Sequence, residues 1–285
     1  MSIRQRFEFE DLEALRVGRY GNRVNTSCIV YRLGDTVIDT GPPNMWRDVR
    51  HFLKERDIGR ILVTHHHEDH SGNLGRIHKI CQPQVLAHNK SLPLLRNSFK
   101  VPFYRRLVWG RPRLKIDAEA LPKTLDIGSN IQLKPIHTPG HSEDMTCFLE
   151  PHRGWVFSGD LYVASKPKYA LSWEDPNQEI ESLRHLLTHD FQTVFCSHRG
   201  ILEDGRAAIA RKLNYLLALR EQVRHYRQTG DSMKDIKKRL MGRETFLFYF
   251  SFGEYSKSNY IRAFAKHSRR KCENSDRLET AESEG

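Results

Sequence analysis

A dense group of metal-binding side chains follows an apolar run in residues 61–73, ILVTHHHEDHSGN. Four histidines, one glutamate and one aspartate occupy six consecutive positions. Imidazole nitrogen and carboxylate oxygen are ligands that Zn2+ prefers in proteins. Since alternate residues of a loop can face one centre, His65 and His67 could bind one metal ion, while Asp69 and His70 face a second. Any fold of this chain must therefore end a buried strand at a polar site.

The residues around this cluster alternate between strand and helix patterns. Two β-branched apolar runs separated by Leu-Gly-Asp predict a hairpin over residues 26–41. Helical spacing of apolar residues predicts a helix within 45–59, and a short buried strand over 60–64 leads to the histidines. A helix over 73–81 and a strand over 84–88 follow, so this half of the chain predicts an α/β layered domain.

Isolated histidine and aspartate residues stand at the ends of further predicted strands. His141 ends NIQLKPIHTPGH, Asp160 lies in GWVFSGDLY, and His198 lies in TVFCSHRG. Each has a glycine close by, where the backbone can approach a site closely. Strand ends that all present metal-type ligands indicate one shared site.

The motif H-x-H-x-D-H, followed later by isolated His, Asp and His, resembles the metallo-β-lactamase superfamily over roughly residues 20 to 200. The segment THHHEDHSGN is most similar to the corresponding segment of its hydroxyacylglutathione hydrolase (glyoxalase II) and lactonase-like branches. The resemblance implies an α/β fold, a four-layer αββα sandwich with a binuclear metal site at one edge of its two sheets.

The resemblance also implies a role for each matching residue. The first metal ion would be held by His65, His67 and His141, the second by Asp69, His70 and His198, and both by a bridging Asp160. Asp39 in VIDTG matches an early aspartate of the family that orients metal ligands. The expected cofactor is Zn2+, two ions per chain, with Fe or Mn as alternatives.

The expected mechanism follows from this metal site. Two cations would lower the pKa of a shared water from ~15.7 to about 7, so that a metal-bridging hydroxide can attack an ester, thioester, lactone or phosphodiester. Asp69 is the expected catalytic residue, since its carboxylate would orient the hydroxide and accept its proton. His66 and Glu68 are expected to face away from the metals.

Two places depart from the family pattern. Ser197 and Arg199 flank the last motif histidine, where the family often has glycine on each side. Glu143 and Asp144 follow His141, where thioester hydrolases commonly have small residues. The substrate therefore stays open among thioesters, lactones and esters, and no substrate-binding residue is assigned.

The chain divides by composition into a catalytic domain over residues 1–205, a helical extension over 206–270 and a disordered tail over 271–285. Residues 90–115 carry eight Lys or Arg and no acidic residue, interleaved with aromatic side chains. Their prolines argue against one continuous helix. A lid insertion over residues 90–124, a membrane-surface contact and a packed insertion with snorkelling cations are the alternatives for this segment.

The helical extension contains two periodic segments and an aromatic run. Residues 206–230 predict a long helix, and a shorter helix follows with Asp231 or Ser232 as its N-cap. Aromatic residues alternate with a period of two over 246–252, which favours a core strand or a packed turn over a dimer or substrate wall. A last helix is expected to start near Ser258.

The formal net charge of +11 favours anionic or amphipathic small-molecule substrates, and nucleic acid is possible. The leading hypothesis is a zinc-dependent hydrolase of a small acyl substrate. The alternative is a metal-dependent nucleic-acid or phosphodiester hydrolase, because the helical extension resembles that of the lactamase-β-like endoribonucleases. A sensor without turnover and a mono-iron enzyme similar to persulfide dioxygenases are further hypotheses.

The five cysteines are scattered, with no C-x-x-C pair, which indicates reduced thiols rather than a disulfide framework. No segment approaches the ~18 apolar residues that span a bilayer. The sequence therefore predicts a cytoplasmic protein without a transmembrane segment. Its oligomeric state is left undetermined.

Overall fold

The computed structural model describes residues 2–128 and 130–266, which form two β-sheets flanked by helices. The strands of the first sheet are adjacent in chain order: β1 (Ile3–Phe9), β2 (Leu12–Gly18), β3 (Cys28–Leu33), β4 (Thr36–Ile38), β5 (Arg60–Leu62), β6 (Gln84–Ala87) and β7 (Glu119–Ala120). Strands β1 to β4 pair antiparallel, whereas β4 to β7 pair parallel. The parallel half aligns the carboxyl ends of its strands at one edge of the sheet.

The second sheet has six strands in the order β13-β12-β11-β10-β9-β8. They are β8 (Leu125–Asp126), β9 (Gln132–His137), β10 (Thr146–Glu150), β11 (Trp155–Gly159), β12 (Thr193–Cys196) and β13 (Gly200–Leu202). Only the β11–β12 pair within this sheet is parallel. Those two strands therefore end at the same edge of the sheet.

The helices follow the periodic segments of the sequence. They are α1 (Trp46–Leu53), α2 (Glu68–Ser71), α3 (Leu74–Cys81), α4 (Leu92–Asn97), α5 (Phe103–Trp109), α6 (Pro176–Leu187), α7 (Gly205–Gln228), α8 (Met233–Met241) and α9 (Phe246–Phe250). Residues 257–266 are also helical. Ser232 caps α8, because its hydroxyl accepts a hydrogen bond from Asp235 N, as its side-chain type predicts.

Three apolar clusters separate four layers. Aromatic side chains dominate the cluster between the two sheets, including Tyr31, Phe148, Trp155, Phe157 and Phe195. Neighbouring residues of a strand point to opposite faces, and both faces are buried at the strands β3, β4, β10, β11 and β12. The first sheet is covered by α1 and α3, and the second by α6 and α7, each through its own cluster. The fold is therefore an αββα sandwich, as predicted.

The structure confirms the hairpin of β3 and β4 and the alternation of strands and helices that follows it. The core strand predicted for residues 246–252 is wrong. This segment contains the short helix α9, and Phe246 and Phe252 are 77% and 84% exposed. Residues 246–252 belong to no strand of the described residues, and a period of two over so short a segment does not decide between helix and strand.

The expected helical extension begins with α7, whose Leu216 packs in the same cluster as Val194 of β12. The expected tail over residues 271–285 lies outside the described residues. Within residues 2–128 and 130–266, no helix is both long enough and apolar enough to cross a membrane.

Candidate metal centre

The predicted site residues lie in the segments that follow the carboxyl ends of five strands. Asp39 directly follows β4, and the histidine cluster follows β5. The other three predicted ligands follow strands of the second sheet: His141 comes after β9, Asp160 after β11 and His198 after β12. All eight predicted site residues are brought together, and each of them except the half-buried His141 is buried.

Three imidazoles meet at the first cluster. His67 Nδ1 lies 2.9 Å from His65 Nε2 and 3.0 Å from His141 Nε2. The far nitrogen of each neighbour has its own partner: His65 Nδ1 is 3.1 Å from Thr64 Oγ1, and His141 Nδ1 is 2.6 Å from Glu174 Oε1. When neutral, His65 and His141 therefore direct lone pairs at His67. One proton on His67 Nδ1 can satisfy only one of them, whereas a cation among the three nitrogens satisfies all.

The second cluster combines Asp69, His70 and His198. His198 Nε2 lies 3.5 Å from Asp69 Oδ2, and His70 Nε2 lies 3.8 Å from the same oxygen. Asp160 lies between the two clusters. Its Oδ1 is 3.1 Å from His198 Nε2 and 3.4 Å from His70 Nε2, while its Oδ2 is 3.4 Å from His141 Nε2. Its two oxygens thus face different clusters.

Buried atoms without hydrogen-bond partners test whether this site fits a metal. Asp69 Oδ1, His70 Nε2 and Asp160 Oδ1 are all buried and unpartnered. Such groups are rare in folded proteins, because an unsatisfied buried polar atom costs about 1–3 kcal/mol. All three belong to the predicted ligands and offer atoms that Zn2+ or Fe can bind. The donor set therefore fits a metal site.

Asp39 holds the second cluster in place. Its Oδ2 accepts a hydrogen bond of 2.7 Å from His70 Nδ1, and its Oδ1 accepts one of 2.9 Å from Thr64 N. This contact leaves His70 Nε2 free of a proton when the ring is neutral. The Asp39 backbone has φ of +60°, a conformation that a non-glycine residue keeps only where its surroundings enforce it.

Two partners of the other histidines have no signal in the sequence. Glu174 binds His141 Nδ1, and the Ser27 carbonyl accepts a hydrogen bond of 2.7 Å from His198 Nδ1. Cys28 also lies close, with its sulfur within 4.8 Å of the nearest nitrogens of His70 and His198. Burial raises the pKa of this thiol well above its ordinary value. Without a bound cation, this burial favours the protonated thiol.

The imidazoles of the site differ in their preferred charge. Burial opposes the charge on His141 of the first cluster, but its hydrogen bond to Glu174 outweighs burial and raises the pKa of this ring. Burial lowers the pKa of His65 and of His67 well below the ordinary value. Burial also opposes the charge on His70, but Asp160 and Asp39 outweigh it and raise the pKa of this ring. The second cluster therefore attracts positive charge, which protons or a metal ion can supply.

His66 and Glu68 do not contact the clustered nitrogens, and both have partners elsewhere. The His66 amide donates a hydrogen bond of 2.8 Å to Asp144 Oδ2, and its ring lies 3.0 Å from Asp144 Oδ1. Glu68 is buried and accepts a hydrogen bond of 2.6 Å from Arg105 Nε. Arg105 Nη2 also lies 3.5 Å from Asp69 Oδ1. These contacts connect the histidine loop to α5.

Two cavities meet at the candidate centre. The metal-centre cavity, about 340 Å³, is lined by His67, Arg105 and most of the predicted ligands. The apolar cavity, about 410 Å³, shares His67 and Arg105 with it and takes its name from Leu94, Phe99 and Trp173. Its rim also includes charged residues, namely Glu68, Lys90, Lys100, Glu143 and Asp144. A substrate with a polar reacting group and an apolar part can occupy both.

Comparison with curated proteins finds relatives in fungi. The chain is 27% identical over 172 residues to the lactamase-like protein aptB of Emericella nidulans, covering 59% of this chain and 48% of that protein. It is 24% identical over 194 residues to the atrochrysone carboxyl ACP thioesterase of Passalora fulva, covering 66% of this chain and 51% of that protein. The chain thus spans about half the length of these relatives.

Solved structures share the fold. A beta-lactamase domain protein from Burkholderia ambifaria matches with a TM-score of 0.68 and 18% identity, covering 90% of this chain and 86% of that chain. The family model of the metallo-beta-lactamase superfamily matches residues 20–198, which is more than half of the chain. The chain therefore belongs to the metallo-beta-lactamase superfamily.

Proposed function

We propose that this protein is a metal-dependent hydrolase of an acyl thioester. The observation that carries the proposal is the position of Asp160, whose two carboxylate oxygens face the two clusters of predicted ligands. Two of the relatives are named atrochrysone carboxyl ACP thioesterase and thioesterase pkgB. Their names favour thioesters over the lactones and simple esters that the same metal chemistry could cleave.

The proposed metals are two Zn2+ ions, one at each cluster, with Fe or Mn as alternatives. His65, His67 and His141 would hold the first, Asp69, His70 and His198 the second, and Asp160 both. When bound, such a pair supplies Lewis-acid activation of water and of the attacked carbonyl group. This assignment follows from the donor atoms that converge without enough protons to satisfy them.

The residues of the chain would orient the reacting groups and move a proton. Asp69 Oδ1 has no hydrogen-bond partner, so this oxygen can accept a proton from an attacking water. Arg105 Nη2 lies 3.5 Å from the same oxygen and would help to orient this carboxylate. The apolar cavity would hold the acyl part and exclude water from it.

We also propose that residues 90–124 form a lid over the site within a catalytic domain of residues 1–205. Leu94, Phe99 and Arg105 support this role, because all three line the apolar cavity beside His67. Residues 206–270 are proposed as a helical extension. A cytoplasmic location and branch membership among the glyoxalase II-like or lactonase-like enzymes belong to the same proposal.

A hydrolysis panel tests the function. Zinc-loaded protein is compared with and without chelator on an acyl-glutathione thioester, an acyl-coenzyme A thioester, an N-acyl homoserine lactone and a labelled single-stranded RNA. We expect chelator-sensitive thioester hydrolysis that is lost in His141→Ala and kept in His185→Ala, which removes an exposed histidine. Cleavage of RNA alone, with the same dependence on metal and on His141, would replace this function with the phosphodiester alternative.

A further inference from the structure

The cations of residues 90–115 fall into two groups. Three of the eight have carboxylate partners: Arg96 with Asp117 at 2.6 Å, Arg105 with Glu68 at 2.6 Å, and Lys90 with Glu143 at 3.2 Å. The other five have no ion pair with any carboxylate of residues 2–128 and 130–266. They are Lys100, Arg106, Arg111, Arg113 and Lys115.

The five unpaired cations line one cleft of about 520 Å³ between residues 98 and 115. We call it the cationic cleft. No acidic side chain contributes to its wall, and the remaining lining is small or apolar, including Phe99, Val101 and Leu114. Since these cations repel one another without a nearby counter-charge, a bound anion would relieve the repulsion.

The cationic cleft adjoins the apolar cavity, which in turn adjoins the metal-centre cavity. Phe99 and Lys100 line both this cleft and the apolar cavity. His67 and Arg105 line both the apolar cavity and the metal-centre cavity. A molecule can therefore place an anionic group among the cations, pass an apolar part beside Phe99 and present a reacting group near His67.

We propose that the cationic cleft binds the phosphate-bearing thiol part of the substrate, and this inference rests on the proposed thioester hydrolysis. The substrate class is an acyl thioester whose thiol carries phosphate groups, as in coenzyme A. Arg106, Arg111 and Arg113 suit this ligand, because guanidinium groups form paired hydrogen bonds with phosphate oxygens. The cleft thereby selects the substrate through a group distant from the reacting bond.

The reaction places the phosphate on the leaving group. The oxygen of a water molecule bonds to the carbonyl carbon, and the C–S bond breaks with its electron pair on sulfur. The products are a carboxylate, a thiol and one released proton, and the thiol keeps the phosphate groups. The phosphate-bearing thiol alone should therefore bind the cleft as a product.

The test compares matched substrates and matched variants. S-butyryl coenzyme A carries phosphate groups, whereas S-butyryl pantetheine lacks them. The variant Arg106→Gln/Arg111→Gln/Arg113→Gln removes three exposed charges from the cleft. The control Arg47→Gln/Arg50→Gln/Lys54→Gln removes three exposed charges from another cleft, which contains Asp48 and shares no lining residue with the metal-centre cavity.

We expect the cleft variant to raise KM for S-butyryl coenzyme A by about tenfold or more, since charged hydrogen bonds are lost. Its KM for S-butyryl pantetheine and its kcat should stay near those of the unaltered protein. The control should leave every constant nearly unchanged. An equal loss for both substrates, or an equal loss in the control, would refute a phosphate site in this cleft.

A binding measurement separates this inference from the proposed function. Calorimetry with coenzyme A, in the presence of chelator, needs no turnover. Binding that is present in the unaltered protein and the control, and absent in the cleft variant, supports the phosphate site even if neither thioester is hydrolysed. No binding of coenzyme A, or tighter binding of a single-stranded RNA to the same cleft, would overturn it.

Discussion

The candidate metal centre and the cationic cleft both concentrate ionisable groups, but they arrange them in opposite ways. At the metal centre the groups are buried, and most have a partner at a set distance, such as Asp39 with His70 at 2.7 Å. In the cleft the five cations are exposed and lack carboxylate partners in the described residues. Electrostatic contacts are strong in the buried site and depend closely on the positions of their atoms. In the exposed cleft each contact is weak and is screened by salt.

This difference predicts how the two regions respond to mutation. Removing one group from the buried set leaves its partners unsatisfied, so single substitutions should have large effects. Removing one exposed cation leaves the others in place, so several must be changed together. We therefore expect the largest effect at the buried Asp160 carboxylate and the smallest at an exposed ion pair.

The largest effect is expected for Asp160→Asn. This change removes the charge that faces both ligand clusters, and a loss of several kcal/mol of stabilisation lowers kcat by about a thousandfold or more. Metal content and thioester hydrolysis are measured on the same preparation. The matched control is Asp190→Ala, which alters an exposed aspartate and should retain both. Full metal content with full activity in Asp160→Asn would contradict the bridging role.

The next effect concerns stability rather than chemistry. Arg105→Met leaves the buried Glu68 without its cation, and breaking such a pair costs about 3–5 kcal/mol. Urea unfolding should show this loss. The double variant Arg105→Met/Glu68→Gln should recover part of it, because the charge of Glu68 is removed together with its partner. Recovery should be incomplete, since the buried Asp69 also loses its contact with Arg105. Equal stability of the single and double variants would show that the lost packing of Arg105, not its charge, is responsible.

A smaller effect is expected for Asp39→Asn, which keeps the size of the side chain but weakens its hydrogen bond to His70. Substitutions of such orienting groups lower metal affinity by about 10–100-fold. Competition with a chelator of known affinity measures the change. Asp117→Asn, on an exposed aspartate that pairs with Arg96, is the control and should bind metal normally. An unchanged metal affinity in Asp39→Asn would show that Asp39 does not orient His70 for metal binding.

The smallest effect is expected at an exposed helical ion pair. Arg184 lies 3.0 Å from Glu181 one turn away on α6, and both side chains are exposed. Glu181→Gln should destabilise the protein by only ~0.2–0.5 kcal/mol, a change close to the limit of thermal unfolding measurements. A loss of more than 1 kcal/mol in the free energy of unfolding would show that exposed ion pairs stabilise this protein more than their exposure predicts.

The main parts of the fold and the site could be predicted from the sequence for local reasons. The ligands stand in short loops directly after apolar strands, so a spacing such as His65, His67, Asp69 and His70 is visible without tertiary structure. The strands β3, β4, β10, β11 and β12 are buried on two faces, and such strands appear as mainly apolar runs bounded by polar turns. These features depend on neighbours in the chain.

The residues that the sequence could not reveal depend on contacts between distant segments. Glu174 meets His141 across 33 positions, and Asp144 meets His66 across 78. Neither acid has a spacing that distinguishes it from a surface carboxylate. The same limit applies to Arg105, which looks like one cation among eight until α5 buries it against Glu68.

Anomalous diffraction from crystals of the zinc-loaded protein would test the bridged metal centre. We expect two peaks, one within about 2.0–2.2 Å of the facing nitrogens of His65, His67 and His141, and one at the same range from Asp69, His70 and His198. Asp160 should contact both. A single peak, or two peaks that do not share Asp160, would contradict the binuclear site on which the proposed hydrolysis rests.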